Sequence, residues 1–358
     1  MRKGRLLGLA AAGVGAAAAA VATGLVVERR IVKSRKAGAA GADQLGGLRS
    51  EPRRIAVEGG ITLHAEVDEI APYEGEHLKH RPDEATLVFV HGYALNLDCW
   101  HFQRLGFRGK RRMVFFDQRS HGRSDPAGHG DATIEPLGHD LKVVLDELVP
   151  TGPVVLVGHS MGGMTIIALA EQHPELFGDR VVGTALISTT AGGLHPHRVI
   201  GSFIPDAVGG GVGNRLMAAL ARAPELVDSA RRTGSNIGFL VTDRFAFGDE
   251  VPASYVEFVD EMLAGTPFKV LAEFFPNFET LDKYAVLDAF ERIPTTILCG
   301  TKDLLTSVGH SRKMAERIPG ARLVEATGAG HMVILERFEK VNAVLQELLD
   351  RAEGRDAA

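Results

Sequence analysis

The chain has 358 residues, of which 45% are hydrophobic, 24% charged and 6% aromatic, a globular balance that excludes a disordered chain and a polytopic membrane protein. Residues 1–54 hold 11 Lys/Arg against three Asp/Glu, while the rest hold 29 against 42. That acidic body, with one Trp and four Tyr, argues against nucleic-acid binding, and Cys99 and Cys299 alone make neither a disulfide framework nor a zinc site.

The first element is a 22-residue run, Leu6 to Val27, without a charge and flanked by Arg2, Lys3 and Arg5 before it and Glu28, Arg29 and Arg30 after it. As a helix it would reach about 33 Å, enough to cross a hydrocarbon core. Residues 1–36 therefore read as an N-terminal membrane anchor with basic flanks. The alternative is a cleaved signal peptide and a secreted protein, because Ala20-Val21-Ala22 mimics a cleavage site. The apolar run continues past that site, and Arg29, Arg30, Lys33, Arg35 and Lys36 follow it, which favours an uncleaved single span. The side of the membrane that the body faces stays open. Residues 37–52 are rich in Gly and Ala and read as a flexible linker.

From Arg53 strands and helices alternate, as in an α/β sheet. Arg54–Val57 and Ile61–Val67 around Gly59-Gly60 predict an opening hairpin. Thr86–Val90, Met113–Phe116, Val154–Val157 and Val181–Ile187 are short apolar runs, the pattern of strands buried on both faces. Helices are predicted around Leu97–Leu105, at Thr133–Leu148 from the 3–4 spacing of Leu137, Leu141, Val144 and Leu148, and at Met161–His173. The rhythm breaks over 192–290, where Gly-rich turns lead into helical stretches at Ser254–Leu263 and Lys269–Phe275. It resumes with strands at Thr295–Cys299 and Arg322–Glu325 and helices at Ser307–Ile318 and Val333–Leu349. The division is core 53–191, helical insertion 192–290, core 291–350 and a short tail, 351–358.

Gly158-His159-Ser160-Met161-Gly162 follows a buried strand and opens a helix. Gly-x-Ser-x-Gly alone is a weak signal in a chain with 42 glycines; its placement makes it a strong one. A sharp strand-to-helix turn strains the serine backbone and leaves no room for side chains two residues to either side. The helix N-terminus there favours developing negative charge. A serine nucleophile needs a base, and the base an orienting acid. Asp303, after the Thr295–Cys299 strand, and His331, between the last strand and last helix, stand in the order this topology requires. The oxyanion donors expected are the N–H groups of Met161 and of Tyr93, in the loop His91-Gly92-Tyr93-Ala94; His91 reads as a brace of that loop.

On these residues, together with Asp117-Gln-Arg-Ser-His-Gly-Arg-Ser124, Gly300-Thr-Lys-Asp303 and Gly328-Ala-Gly-His331, the segment from about Arg53 to Leu349 resembles the α/β-hydrolase-fold serine hydrolases. The resemblance implies a mostly parallel eight-stranded sheet flanked by helices, with a helical cap over 192–290 between strands 6 and 7. It also implies that Asp117, Arg119 and His121 support the active-site loops rather than react. Aspartate-dependent epoxide hydrolases and dehalogenases fit less well, because the elbow carries Ser160.

The expected reaction is hydrolysis of a carboxylic ester through an acyl-enzyme on Ser160, with no cofactor and no metal. Perhydrolysis, as in cofactor-free haloperoxidases, and acyl transfer use the same triad and stay open. A sensor that keeps the fold without turnover is the alternative of another class. Ten of the 17 Phe lie between Phe203 and Phe290, which suits either a lipophilic ester pocket or cap helices packing on the sheet domain.

Overall fold

The computed structural model describes residues 45–70, 84–128, 132–194 and 235–355. The hairpin comes first, β1 (Pro52–Val57) against β2 (Ile61–Asp68), turning at Gly59 and Gly60, both at positive φ. β3 (Thr86–Val90) follows, then a 3₁₀ turn at Leu97–Trp100 running into α1 (His101–Phe107), and β4 (Met113–Phe116). α2 (Ile134–Leu148), β5 (Val154–His159), α3 (Met161–Gln172) and β6 (Val181–Ile187) complete the first part of the sheet domain.

Between β6 and β7 lie the described cap helices α4 (Ser235–Ala246), α5 (Ala253–Gly265) and α6 (Phe268–Thr280) and a 3₁₀ segment, Tyr284–Arg292. The chain then returns through β7 (Thr295–Gly300), α7 (Val308–Arg317), β8 (Arg322–Ala326), α8 (Val333–Glu336) and α9 (Phe338–Ala352). The expected anchor (1–36) and residues 195–234 of the expected cap lie outside the described residues. Among the described residues no helix is long and apolar enough to cross a membrane.

The eight strands form one sheet in the order β1-β2-β4-β3-β5-β6-β7-β8, antiparallel at β1/β2 and β2/β4 and parallel elsewhere. Alternate side chains of each strand go to opposite faces. Leu87, Phe89, Met113, Phe115, Val155 and Val157 join one core with residues of α8, α9 and the cap helix α5. Val88, Val90, Val114, Phe116, Val154 and Leu156 join the other with residues of α2 and α3. Both faces being covered, the strands read as unbroken apolar runs. The parallel strands end together, so the loops after β3, β5, β7 and β8 meet at one edge, below the cap.

Two segments differ from the sequence reading. Residues 45–51, expected within the flexible linker, are held to the body: Gly46 N–H donates to His101 Nδ1 (3.2 Å), Ser50 N–H to Glu66 (2.9 Å), and Arg104 to the Leu48 carbonyl (3.0 Å). Arg104 is itself buried between Glu66 and Asp68 (2.8 and 2.6 Å). The expected final helix is interrupted at Arg337, where φ −132° and ψ 43° separate α8 from α9.

Candidate active site

Ser160 occupies the turn between β5 and α3 at φ 52° and ψ −120°, a backbone geometry sterically costly for any residue with a Cβ. The turn is tight enough that a Cβ on Gly158 would lie 2.7 Å from the Gly162 carbonyl carbon, and one on Gly163 would meet Thr189 Cγ2 at 2.5 Å. Ser160 N–H donates to the Ile187 carbonyl at 2.9 Å and Thr189 Oγ1 to the Ser160 carbonyl at 2.6 Å, fixing the strained residue to the end of β6.

The loops after β7 and β8 bring the two expected partners to this serine. Ser160 Oγ–H donates to His331 Nε2 at 3.0 Å, and His331 Nδ1–H donates to Asp303 Oδ2 at 2.9 Å. Asp303 and His331 are both buried. Asp303 Oδ1 accepts the N–H groups of Leu305 (2.8 Å) and Thr306 (2.9 Å), and Oδ2 also accepts the Thr306 hydroxyl (2.9 Å). Burial alone would raise the Asp303 pKa. The His331 imidazole and these donors outweigh it and hold the carboxyl below its usual range, so it stays ionised. An ionised acceptor at Nδ1 fixes the tautomer that leaves Nε2 free to take a proton.

The loop after β3 lies against the elbow. A Cβ on Gly92 would come to 3.0 Å from both Ser160 Cβ and His159 Nδ1, so a side chain there would crowd the nucleophile. Met161 is the first residue of α3, and the first N–H groups of a helix lack intrahelical partners. Tyr93 follows Gly92, with its ring edge-on to Phe274 and Phe278 of α6 and its hydroxyl donating to the Leu271 carbonyl at 2.5 Å. The loop that carries Tyr93 therefore approaches Ser160 through Gly92, while Met161 follows the serine directly in the chain.

His91 is a brace, as the sequence suggests. Its Nδ1–H donates to the Gly92 carbonyl (2.8 Å) and its Nε2 accepts from Gln118 N–H (2.9 Å). Burial, with His121 nearby, lowers its pKa to about 3. Asp117 accepts the N–H groups of Leu97 (2.7 Å) and Arg123 (2.8 Å), and Arg119 pairs with Asp140 through two bonds of 2.7 Å. This segment ties the loop after β3 to the body and contributes no atom to the Ser160, His331 and Asp303 chain.

Thr306, His159 and Glu336 also shape the site and were not singled out from sequence. Thr306 had a local signal, since Asp-x-x-Thr places hydroxyl and backbone donors around one carboxylate. His159 donates Nε2–H to the His331 carbonyl at 3.0 Å; burial, with His331 nearby, lowers its pKa to about 3, so it is neutral. Among the described residues no group of three or more His, Cys, Asp or Glu is placed to hold a metal ion.

Ser160, the buried His331 imidazole and the buried Asp303 carboxylate thus form one hydrogen-bonded chain at the edge of an α/β sheet. The chain belongs to the Alpha/beta hydrolase family, whose model matches residues 87–344. Among curated relatives it is 28% identical over 257 residues to the dihydrolipoyllysine-residue acetyltransferase component of the acetoin cleaving system of Pseudomonas putida, covering 72% of this chain and 61% of that protein. It spans under two thirds of that relative's length. It is also 28% identical over 302 residues to the mouse (Mus musculus) sn-1-specific diacylglycerol lipase ABHD11, covering 79% of this chain and 89% of that one. Of solved structures, a thermophilic esterase from Thermogutta terrifontis superposes with a TM-score of 0.63 at 22% identity, over 85% of this chain and all of the other. That likeness is one of fold.

Proposed function

We propose that the protein is a serine hydrolase that cleaves a carboxylic ester through an acyl-enzyme on Ser160. The observation that carries this reading is the unbroken chain from Ser160 Oγ through His331 to Asp303, at 3.0 and 2.9 Å. His331 Nε2 takes the Ser160 proton as Oγ attacks the ester carbonyl, and Asp303 stabilises the imidazolium that forms. The N–H groups of Tyr93 and Met161 receive the oxyanion. His331 then protonates the departing alcohol, and water repeats the sequence on the acyl-enzyme. A lipophilic acyl group is supported by the apolar surroundings of Tyr93, where Phe274, Phe278, Met161 and Met164 cluster.

The test is hydrolysis of a chain-length series of p-nitrophenyl esters by the protein and its Ser160→Ala variant. Turnover that vanishes in Ser160→Ala supports the reading, and the preferred chain length reports the pocket. Ser160-independent turnover, or none with any ester, contradicts it. Turnover only with added hydrogen peroxide would replace hydrolysis by perhydrolysis.

We further propose that residues 1–36 anchor the enzyme to a membrane by one span, on the strength of the uncharged run Leu6 to Val27 and the basic residues after it. Full-length protein should sediment with membranes and resist carbonate extraction; recovery in the soluble fraction would remove the anchor.

A further inference from the structure

The cap returns to the sheet domain across the loop that carries His331. At the end of α8, five residues after His331, Glu336 turns its buried side chain back into that crossing. Its Oε2 accepts the N–H of Gly330, the residue before His331, at 2.8 Å, and also that of Gly248 at 3.2 Å. Its Oε1 accepts the N–H of Asp249 at 2.8 Å. Gly248 and Asp249 come two and three residues after the end of α4, so one carboxylate joins the cap to the histidine loop.

Other contacts make this junction stiff. Met332, on the other side of His331, donates its N–H to the Ala246 carbonyl at 2.7 Å. A Cβ on Gly330 would lie 2.5 Å from Gly248 N, and one on Gly248 would lie 2.6 Å from Gly330 N, so the two backbones touch with no side chain between them. Lys302, the neighbour of Asp303, donates its N–H to the Ala329 carbonyl at 2.9 Å and pairs its ammonium with Asp249 at 2.7 Å. The loops of His331 and Asp303 therefore share one anchor, the cap segment 246–249.

We propose that Glu336 is a positioning residue that transmits the position of the cap to His331. The carboxylate is the group this junction needs, because three N–H donors converge on it and an ionised pair of oxygens can accept them all. An amide in its place would turn its NH₂ toward backbone N–H groups. Displacing the imidazole by about 1 Å costs on the order of a hundredfold in rate, so a substrate that moves the cap also adjusts its own base. The kinetic consequence rests on the Ser160 hydrolase reading; the structural one rests on the hydrogen bonds alone.

The test compares full-length Glu336→Gln with Gly248→Ala, which crowds the same junction from the cap side. The readouts are kcat and KM on a p-nitrophenyl ester and the downfield proton resonance of His331 Nδ1–H. Both variants should lose about 10- to 100-fold in kcat, keep KM within about threefold, and shift or broaden that resonance. Parental kcat and resonance in a folded Glu336→Gln protein would overturn the proposal. So would a fall in kcat with the resonance in its parental place, since the effect would not then pass through His331. If the parent protein hydrolyses no ester, the hydrolase reading fails separately, and the resonance still decides whether Glu336 holds the imidazole.

Discussion

Acidification should destabilise this protein already between pH 7 and pH 5, because three histidines are buried without charge. Burial, with His121 nearby, lowers His91 to about 3; burial lowers His121 to about 4; burial, with His331 nearby, lowers His159 to about 3. In the unfolded chain each takes up a proton near pH 6.5, so below that pH the unfolded state binds more protons than the native one. Their stabilisation is complete above about pH 6.5 and drains away as the pH falls. At pH 5 each has cost about 2 kcal/mol, or about 6 kcal/mol together. Asp117 works in the opposite direction. Burial raises it to about 6 despite the donors from Leu97 and Arg123, so protonation relieves it and returns about 1 kcal/mol at pH 5. Glu66, which burial would raise, is held down to about 2 by His64, Ser50 and Arg104, and its loss begins only below about pH 4.5. The net loss between pH 7 and pH 5 is therefore about 4–5 kcal/mol, against a usual total of about 5–15. Urea unfolding followed by the fluorescence of Trp100, the only and fully buried tryptophan, measures it directly. Equal unfolding free energies at pH 7 and pH 5, with equal m-values, would refute the reasoning.

Asp303→Asn removes the ionised acceptor that fixes the His331 tautomer, and kcat should fall about 10³- to 10⁴-fold with KM little changed; steady-state kinetics would show it. Arg104→Met strips the cation from buried Glu66 and Asp68, and should cost about 3–5 kcal/mol in urea unfolding. Phe274→Ala opens a space beside Tyr93 and His121, with an expected loss of about 3–5 kcal/mol and an altered ester chain-length preference.

The β3, β4 and β6 bounds in the structure are those expected from sequence, because a strand covered on both faces is an apolar run whose ends are visible locally. The Ser160 turn was equally legible, since steric crowding demands Gly158 and Gly162 at fixed offsets. His331 and Asp303 could be picked out because loop position and chain order are properties of topology. What stayed hidden depends on partners remote in sequence. Glu336 meets Gly248 and Asp249, 88 and 87 residues away, and nothing in its own neighbourhood announces a carboxylate that accepts three backbone donors. The break at Arg337 escaped for a related reason: the apolar spacing of Val333–Leu349 runs straight through it. Residues 45–51 look flexible in composition, but Glu66, His101 and Arg104, which hold them, lie 16 to 56 positions downstream.

The most direct test of the central claim is the mass of the intact protein after exposure to an alkyl fluorophosphonate, with peptide mapping of any adduct. One phosphonyl group per chain is expected, on Ser160, formed far more slowly in His331→Gln. An unmodified protein, or an adduct on another residue at the same rate in both proteins, would contradict it.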